Sequence, residues 1–448
     1  MSASLETVTH ALIDRALKAG AEAADVLAVQ GHAMTIDMRG GTLEQAERAE
    51  GVDIGLRVLI GQKQAIVSAA DLREATLDQL SERAVAMARE APDDPYVGLA
   101  RPDELAQGWD MAALELSDPA PEPSPQELQD EAARAEAAAL AVKGITQVQS
   151  ASAAYHWREI YQAASNGFSA GFTRTDRGIS CVAIAGTGTG MERDYDSDSR
   201  IFQSDLRSAE EIGIRAGERT VAQLGARKPP TGAFPVLFDE RVAGTLIGHL
   251  LVAANGASVA RGASWLRDSL GEAVLPAGLS LHEDPLRPRV SASRPFDAEG
   301  LPTKPRDIVK DGVLTGWTLD LASARKLGMT STANAKRGPG SPPSPSSWSV
   351  ALTQGDQSRD DLLKEMGTGL LVTGMIGSTI NPNTGDYSRG ASGFWVENGE
   401  VQYPVNECTI AGSLPNMLRH ITPANDARAW VSRVVPSLLV EGLTLAGA

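Results

Sequence analysis

Glycine spacing sets the first limit on what this chain can become. Between residues 25 and 68, Gly31, Gly40, Gly41, Gly51 and Gly61 divide the sequence into runs at 25–30, 35–39, 43–49, 52–60 and 64–68. These short runs have the character of strands, and glycine offers the left-handed backbone that turns between them require. Helical patterns flank the block. Leu5, Val8, Leu12, Ile13 and Ala16 recur at helical spacing until Gly20, and a second helical stretch at 73–89 stops before Pro92. Residues 1–110 therefore read as a small α/β domain.

A Pro-rich run at 117–125, SDPAPEPSP, follows as a stiff solvated linker. Beyond it, 126–143 is rich in Ala and Glu, without Gly or Pro, and predicts a helix. Strands are expected at 145–157, 159–166, 169–176 and 178–187, and a helix at 209–224, making 126–227 a central α/β domain. The run Lys228 to Gly232 marks the next boundary, and 232–448 reads as a β-rich C-terminal domain with an early strand at 235–238 and a helix at 242–254. Within it, 331–347 contains GPGSPPSPSS, has no apolar face, and is expected to be a mobile surface loop. At 448 residues the chain is too long for one ordinary core. The fold class expected is α/β (α+β): small N-terminal α/β domains with mixed or antiparallel sheets, then a larger β-rich domain. Whether the first two regions pack as one stays open.

Charge narrows the partners. The formal net charge is -16 and no long Lys/Arg run offsets it, so nucleic acid is not an expected ligand. The two cysteines, Cys181 and Cys408, make no disulfide framework, and both fall in strand-like runs as buried thiols. The start, MSASLET, lacks a basic segment followed by an apolar one, and no apolar run approaches the roughly 18 residues that span a bilayer. The expected location is the cytoplasm, without a membrane partner.

Hydrolytic chemistry leaves readable signatures, and several are missing. A peptidase zinc helix places two histidines one turn apart with a glutamate beside the first. The six histidines are His10, His32, His156, His249, His282 and His420, and no two have that spacing. His282-Glu283 is the single His-Glu pair, and Pro285 interrupts any helix there. No Gly-x-Ser-x-Gly pentapeptide occurs. The GTGTG run at 186–190 lacks the Lys and Ser/Thr of a phosphate loop and reads as a turn. Asp194, Asp196 and Asp198 alternate as in a calcium loop, but Ser199 and Asp205 stand where Gly and Glu belong, so a solvated acidic loop is expected. His249, among apolar neighbours, is expected to be a hydrogen-bonded packing residue.

The block NPNTGDYSRGASGFWVENGEVQYPVNECTIAG at 381–412 resembles the C-terminal signature of the TldD/PmbA family. RAVAMAREAPDDPYVGLA (83–100), SNGFSAGF (165–172), SRPFDAEGLPT (293–303), DIVKDGVLTGWTLDLASARKLG (307–328) and GLLVTGMIGSTINP (369–382) extend the resemblance over nearly the whole chain. The pattern is nearest to the PmbA branch, also called TldE. The resemblance implies one subunit of a TldD/TldE-type metallopeptidase that cleaves unstructured polypeptides and is linked to peptide-antibiotic maturation and DNA gyrase modulation. Its zinc-bearing member carries a His-Glu-x-x-x-His helix. Here Gly248 and Ala253 occupy the two histidine places and His249 the glutamate place. No catalytic or metal residue is therefore expected in this chain, and zinc is expected on a TldD-like partner subunit. The expected assembly is a heterodimer with that partner, or a homodimer in isolation. Two rival readings are a non-enzymatic interaction protein that modulates a toxin or gyrase system, and a self-sufficient metallopeptidase with atypical ligands.

Candidate peptide-binding residues are Gly369, Leu370, Leu371 and Val372, together with Asp386, Arg389, Gly390, Ser392 and Gly393. The small residues permit close backbone approach, and an exposed strand edge there would hold an extended peptide by main-chain hydrogen bonds. The alternative is that both strands are core or subunit interface. Asp386 and Arg389 either orient a substrate or pin the turn by a salt bridge.

Overall fold

The computed structural model describes residues 4–447. Helix α1 (Leu5–Lys18) precedes β1 (Ala23–Arg39), β2 (Thr42–Ile60), β3 (Lys63–Ala69) and helix α2 (Glu74–Glu90). Helix α3 (Pro125–Leu140) opens a second run of β4 (Ile145–Ala164), β5 (Ser169–Ala185) and β6 (Glu192–Arg200), closed by α4 (Ala209–Ala222). The Pro-rich segment ends as a helix cap. Ser124 and Glu127 form a reciprocal capping box, and Pro125 takes the first helical position, where no amide donor is needed.

The two N-terminal regions share one antiparallel sheet in the order β3-β2-β1-β4-β5-β6. Its strands are longer than glycine spacing predicts. Gly31 and Gly51 do not turn the chain; they lie opposite each other within β1 and β2, while Gly40, Gly41 and Gly61 do adopt turn conformations. Likewise β4 and β5 are each continuous where two strands apiece are expected. Side-chain parity sorts the sheet into two faces. Ala24, Val26, Ala28, Met34, Ile36 and Met38 of β1 all point to the face covered by helices. Asp25, Leu27 and Val29 point the other way, towards the C-terminal domain.

In that domain β7 (Gly232–Phe238) leads into α5 (Glu240–Ala253) and α6 (Gly256–Ala260). Short elements follow: β8 (Leu281–Glu283), β9 (Arg306–Lys310), β10 (Val313–Leu314), α7 (Leu321–Leu327), β11 (Ala335–Lys336), β12 (Ser344–Pro345) and β13 (Val350–Leu352). Helix α8 (Arg359–Met366) then precedes β14 (Gly369–Ile380), β15 (Asp386–Glu397), β16 (Glu400–Ser413), α9 (Leu414–Arg419), β17 (Ile421–Pro423), β18 (Arg433–Val434) and β19 (Leu438–Ala446). The order β16-β15-β14-β7-β19 closes into a barrel where β16 pairs with β19, and β17 adds to β19. One large core joins this barrel to α5, α9 and the small sheet built on β8, β9 and β13. No helix among the described residues is long and apolar enough to cross a membrane.

Two expected surface segments are built into the structure instead. The 331–347 stretch forms the β11–β12 hairpin, with Asn334 and Ala335 fully buried. It is anchored by backbone contacts, the Asn334 amide and the Arg337 guanidinium rather than by a large apolar face, which is why composition conceals it. Arg337 pairs with Asp25, and Asp25 also accepts from Arg57 Nε at 2.7 Å. Burial alone would raise the Asp25 carboxyl; Arg337 and Arg57 outweigh it and hold the pKa below the usual carboxylate range. Asp194, Asp196 and Asp198 are not a solvated loop either. They lie buried on β6, paired with Arg241, with Arg207 and Arg219, and with Arg200 respectively.

The hairpin fits the sheet because residue 55 has no side chain: a Cβ there would lie 1.8 Å from the Pro339 carbonyl oxygen. Gly55→Ala should therefore lower stability by about 1–3 kcal/mol or more, since backbone must move. Gly51→Ala, with nothing within 4 Å of its Cβ, should change it by less than about 0.5 kcal/mol. Urea titration of both variants checks the contrast.

Candidate functional site

Helix α5 is fixed at its N-terminus by charge. Asp239 caps it, and Arg359 Nη1 donates to Asp239 Oδ2 at 3.0 Å. Arg428 Nε donates to Glu240 Oε2 at 2.6 Å, and Arg241 reaches back to Asp194 on β6 at 2.7 Å. Val242, Ala243, Leu246, Ile247, Leu250 and Leu251 bury the inner face at helical spacing. Gly244 and Gly248, one turn apart, leave a smooth stripe on this helix. The side chain of Arg433, on β18, lies along that stripe; its Nη1 donates to the Gly244 carbonyl at 3.1 Å. A Cβ on residue 248 would sit 2.7 Å from the same Nη1.

His249 lies next to this contact and turns its ring edgewise onto Tyr387, centroid to centroid 5.9 Å. It is not the hydrogen-bonded packing residue that its surroundings in the sequence predict, because Nε2 is enclosed without a hydrogen-bond partner. Burial, then Arg389, then Arg433 depress its pKa, so the imidazole is held neutral. Tyr387 is buried and its phenol is pushed up to about 12 by desolvation, with its hydroxyl 3.8 Å from Met375 Sδ.

The strand candidates divide into two groups. Gly369, Leu370, Leu371 and Val372 are buried, and 370–372 pair with β15 on one side and β7 on the other. Among the described residues 370–372 thus have a strand on each side, which leaves no edge there for an added strand. Beyond Val372, β14 pairs only with β15 among the described residues, and Ile376 is 77% exposed. Gly390, Ser392 and Gly393 lie inside β15, between β14 and β16. Asp386 and Arg389 do not form a salt bridge: Thr384 Oγ1 donates to Asp386 at 2.6 Å, and Arg389 Nε donates to the Gly377 carbonyl at 2.6 Å. The structure thus gathers His249, Tyr387 and Arg389 with Met375 and Arg433, and leaves Asp386 at the exposed start of β15. Arg433 was not legible from sequence; the paired glycines of α5 are the one signal of a close neighbour.

This donor set does not fit zinc. A hydrolytic zinc site needs three protein ligands and a carboxylate base. Helix α5 supplies one imidazole and its neighbours are guanidinium groups, which repel a cation. Among the described residues no group of three or more His, Cys, Asp or Glu side chains is placed to hold a metal ion. A histidine kept neutral by folding contributes stability above its unfolded pKa of about 6.5, lost as pH falls through that value. His249→Phe keeps an aromatic edge on Tyr387 and removes the orphaned nitrogen. Urea midpoints should be no lower than wild type at pH 7 and should fall less steeply towards pH 5.

Three models of the PmbA/TldA metallopeptidase family match in sequence: domain 1 over residues 24–88, the central domain over 118–224 and the C-terminal domain over 231–447. The chain is 40% identical to "Metalloprotease PmbA" of Escherichia coli O157:H7, covering 95% of this chain and 92% of that protein. It is 36% identical to "Metalloprotease PmbA homolog" of Haemophilus influenzae, covering 97% and 94%. In three dimensions it matches a candidate modulator of DNA gyrase from Bacteroides thetaiotaomicron with TM-score 0.91 at 27% identity, over 99% of this chain and 98% of the other. TldE from Thermococcus kodakarensis shares the fold, with TM-score 0.84 at 21% identity over 98% and 100%. The chain belongs to the PmbA/TldD metallopeptidase family.

Proposed function

We propose that this chain is the PmbA/TldE-like subunit of a TldD/TldE-type peptidase acting on unstructured peptides, with zinc and the general base supplied by a TldD-like partner. The observation that carries this reading is the chemistry around α5. The helix that resembles the family's zinc helix holds a single neutral imidazole beside Arg433 and Arg389, and glycine at the first histidine place makes room for Arg433. Such a surface repels a metal cation but does not prevent the subunit from shaping a substrate channel.

The outer part of β14 then takes the peptide-holding role. Its 373–380 segment leaves one side of the strand without a strand partner among the described residues, and exposed Ile376 offers an apolar contact. An extended peptide laid along that side would be held through its main chain with little sequence preference, as proteolysis of varied flexible chains requires.

Co-expression with a chain bearing His-Glu-x-x-x-His tests the assignment. The pair should co-purify, zinc should follow the partner, and a flexible peptide should be cleaved only when both chains are present. One equivalent of zinc retained by the isolated chain after chelation and reloading, with unaided cleavage, would instead establish a self-sufficient peptidase.

A further inference from the structure

Between the N-terminal sheet and the C-terminal domain lies a cleft of about 790 Å³, on the sheet face that the helices leave uncovered. Its floor is apolar, with Leu27, Ile160, Phe172 and Phe296. Arg294 lines it from the 293–303 segment, and its side chain is unusual among the arginines of this protein. The guanidinium makes no hydrogen bond and no ion pair to any described residue, although Nε is fully enclosed. It stacks 3.9 Å above the Trp348 ring.

Everything around the guanidinium is held still. Trp348 Nε1 donates to the Ala333 carbonyl at 2.9 Å and its backbone amide to Glu283 at 2.6 Å. The Arg294 amide donates to the Pro285 carbonyl at 2.8 Å, and its own carbonyl accepts from Thr303 Oγ1 at 2.6 Å. With Nε enclosed and the guanidinium making no hydrogen bond, its donors are left for an arriving anion to engage. Burial, then Arg174, pull the Arg294 pKa down to about 10, which leaves it charged at neutral pH. Lys336 lines the same cleft and also has no ion pair among the described residues.

Three carboxylates share the lining. Asp176 is engaged by Arg158 and Arg174, and Asp297 accepts backbone amides from Glu299, Leu301 and Ala335; Asp53 is the third. Against them stand Arg158, Arg174 and Arg337, already engaged by Asp176 and Asp25, so Arg294 is the one guanidinium of the lining left uncommitted among the described residues. A single planar fork and an apolar floor favour a monoanion with an apolar body. We propose that this cleft binds an organic carboxylate of that kind, its carboxylate gripped by the Arg294 guanidinium over Trp348. The site lies apart from the α5 helix and does not depend on the peptidase assignment.

Calorimetric titration of the full chain with N-acetyl-Leu-Phe as free acid, the corresponding amide, and inorganic phosphate decides the matter. The acid should bind at least tenfold more tightly than the amide, and phosphate should not displace it at equal concentration. Arg294→Met, which keeps the stacked stem, should abolish the difference with a Tm no lower than wild type. Arg294→Lys, which keeps the charge without the fork, should lose most of it. Equal binding of acid and amide, or an acid preference that survives in Arg294→Met, would overturn the proposal. So would phosphate competing as well as the acid, which would mark a site for a free inorganic anion. Should Arg294→Met melt early, the wild-type ratio and the Lys variant decide alone.

Discussion

A carboxylate on the third residue of the first strand holds this molecule together. Asp25 is buried between Arg57, from the neighbouring strand β2, and Arg337, from the β11–β12 hairpin of the C-terminal domain. Buried charges are tolerated only when closely paired, and Asp25 is shared by two guanidiniums, with Glu299 and Asp320 also acting on Arg57, so the N-terminal sheet and the β11–β12 hairpin fix each other's position. The same device recurs along the seam. Arg241 at the head of α5 meets Asp194 on β6, and Arg289 meets Glu115 and Asp205. Each pair joins a C-terminal arginine to an N-terminal carboxylate.

This seam determines where ligands can go. One face of the N-terminal sheet is closed by α1, α2, α3 and α4, so the other face, tied down by Asp25, becomes the wall of the central cleft. Helix α5, held through Arg241, sets His249 against Tyr387 in the barrel. A chain with formal net charge -16 thereby acquires two local surfaces of positive sign, Arg389 with Arg433 beside α5, and Arg294 with Lys336 in the cleft. The first disfavours a cation on electrostatic grounds, and the second carries the carboxylate site proposed above.

Much of the helical framework was legible in the sequence because it rests on local rules. The apolar spacing of Leu5, Val8, Leu12, Ile13 and Ala16 gives α1, and Ser124 with Glu127 caps α3. The family resemblance directed attention to α5, and the structure gives that helix over nearly the residues expected. What escaped was set by distant partners. Gly31 and Gly51 look like turns until their pairing across two long strands is known. The 331–347 segment looks mobile because its anchors, Asp25 and Gly55, lie about three hundred residues earlier. Asp194 and Asp196 look solvated because the arginines that pair with them, Arg241, Arg207 and Arg219, lie further along the chain; Asp198 pairs with Arg200 on its own strand. The edge proposed at 369–372 disappears for the same reason: β7, its second neighbour, precedes it by more than a hundred residues.

Scanning calorimetry tests the seam most directly. If buried charge pairs make one cooperative body of both sheets, the wild-type chain melts in a single transition whose calorimetric and van't Hoff enthalpies agree. Asp25→Asn, which strands two guanidinium groups, should then lower stability by about 3–5 kcal/mol and separate two transitions. A wild-type chain that already melts in two independent steps, unchanged by Asp25→Asn, would contradict the account.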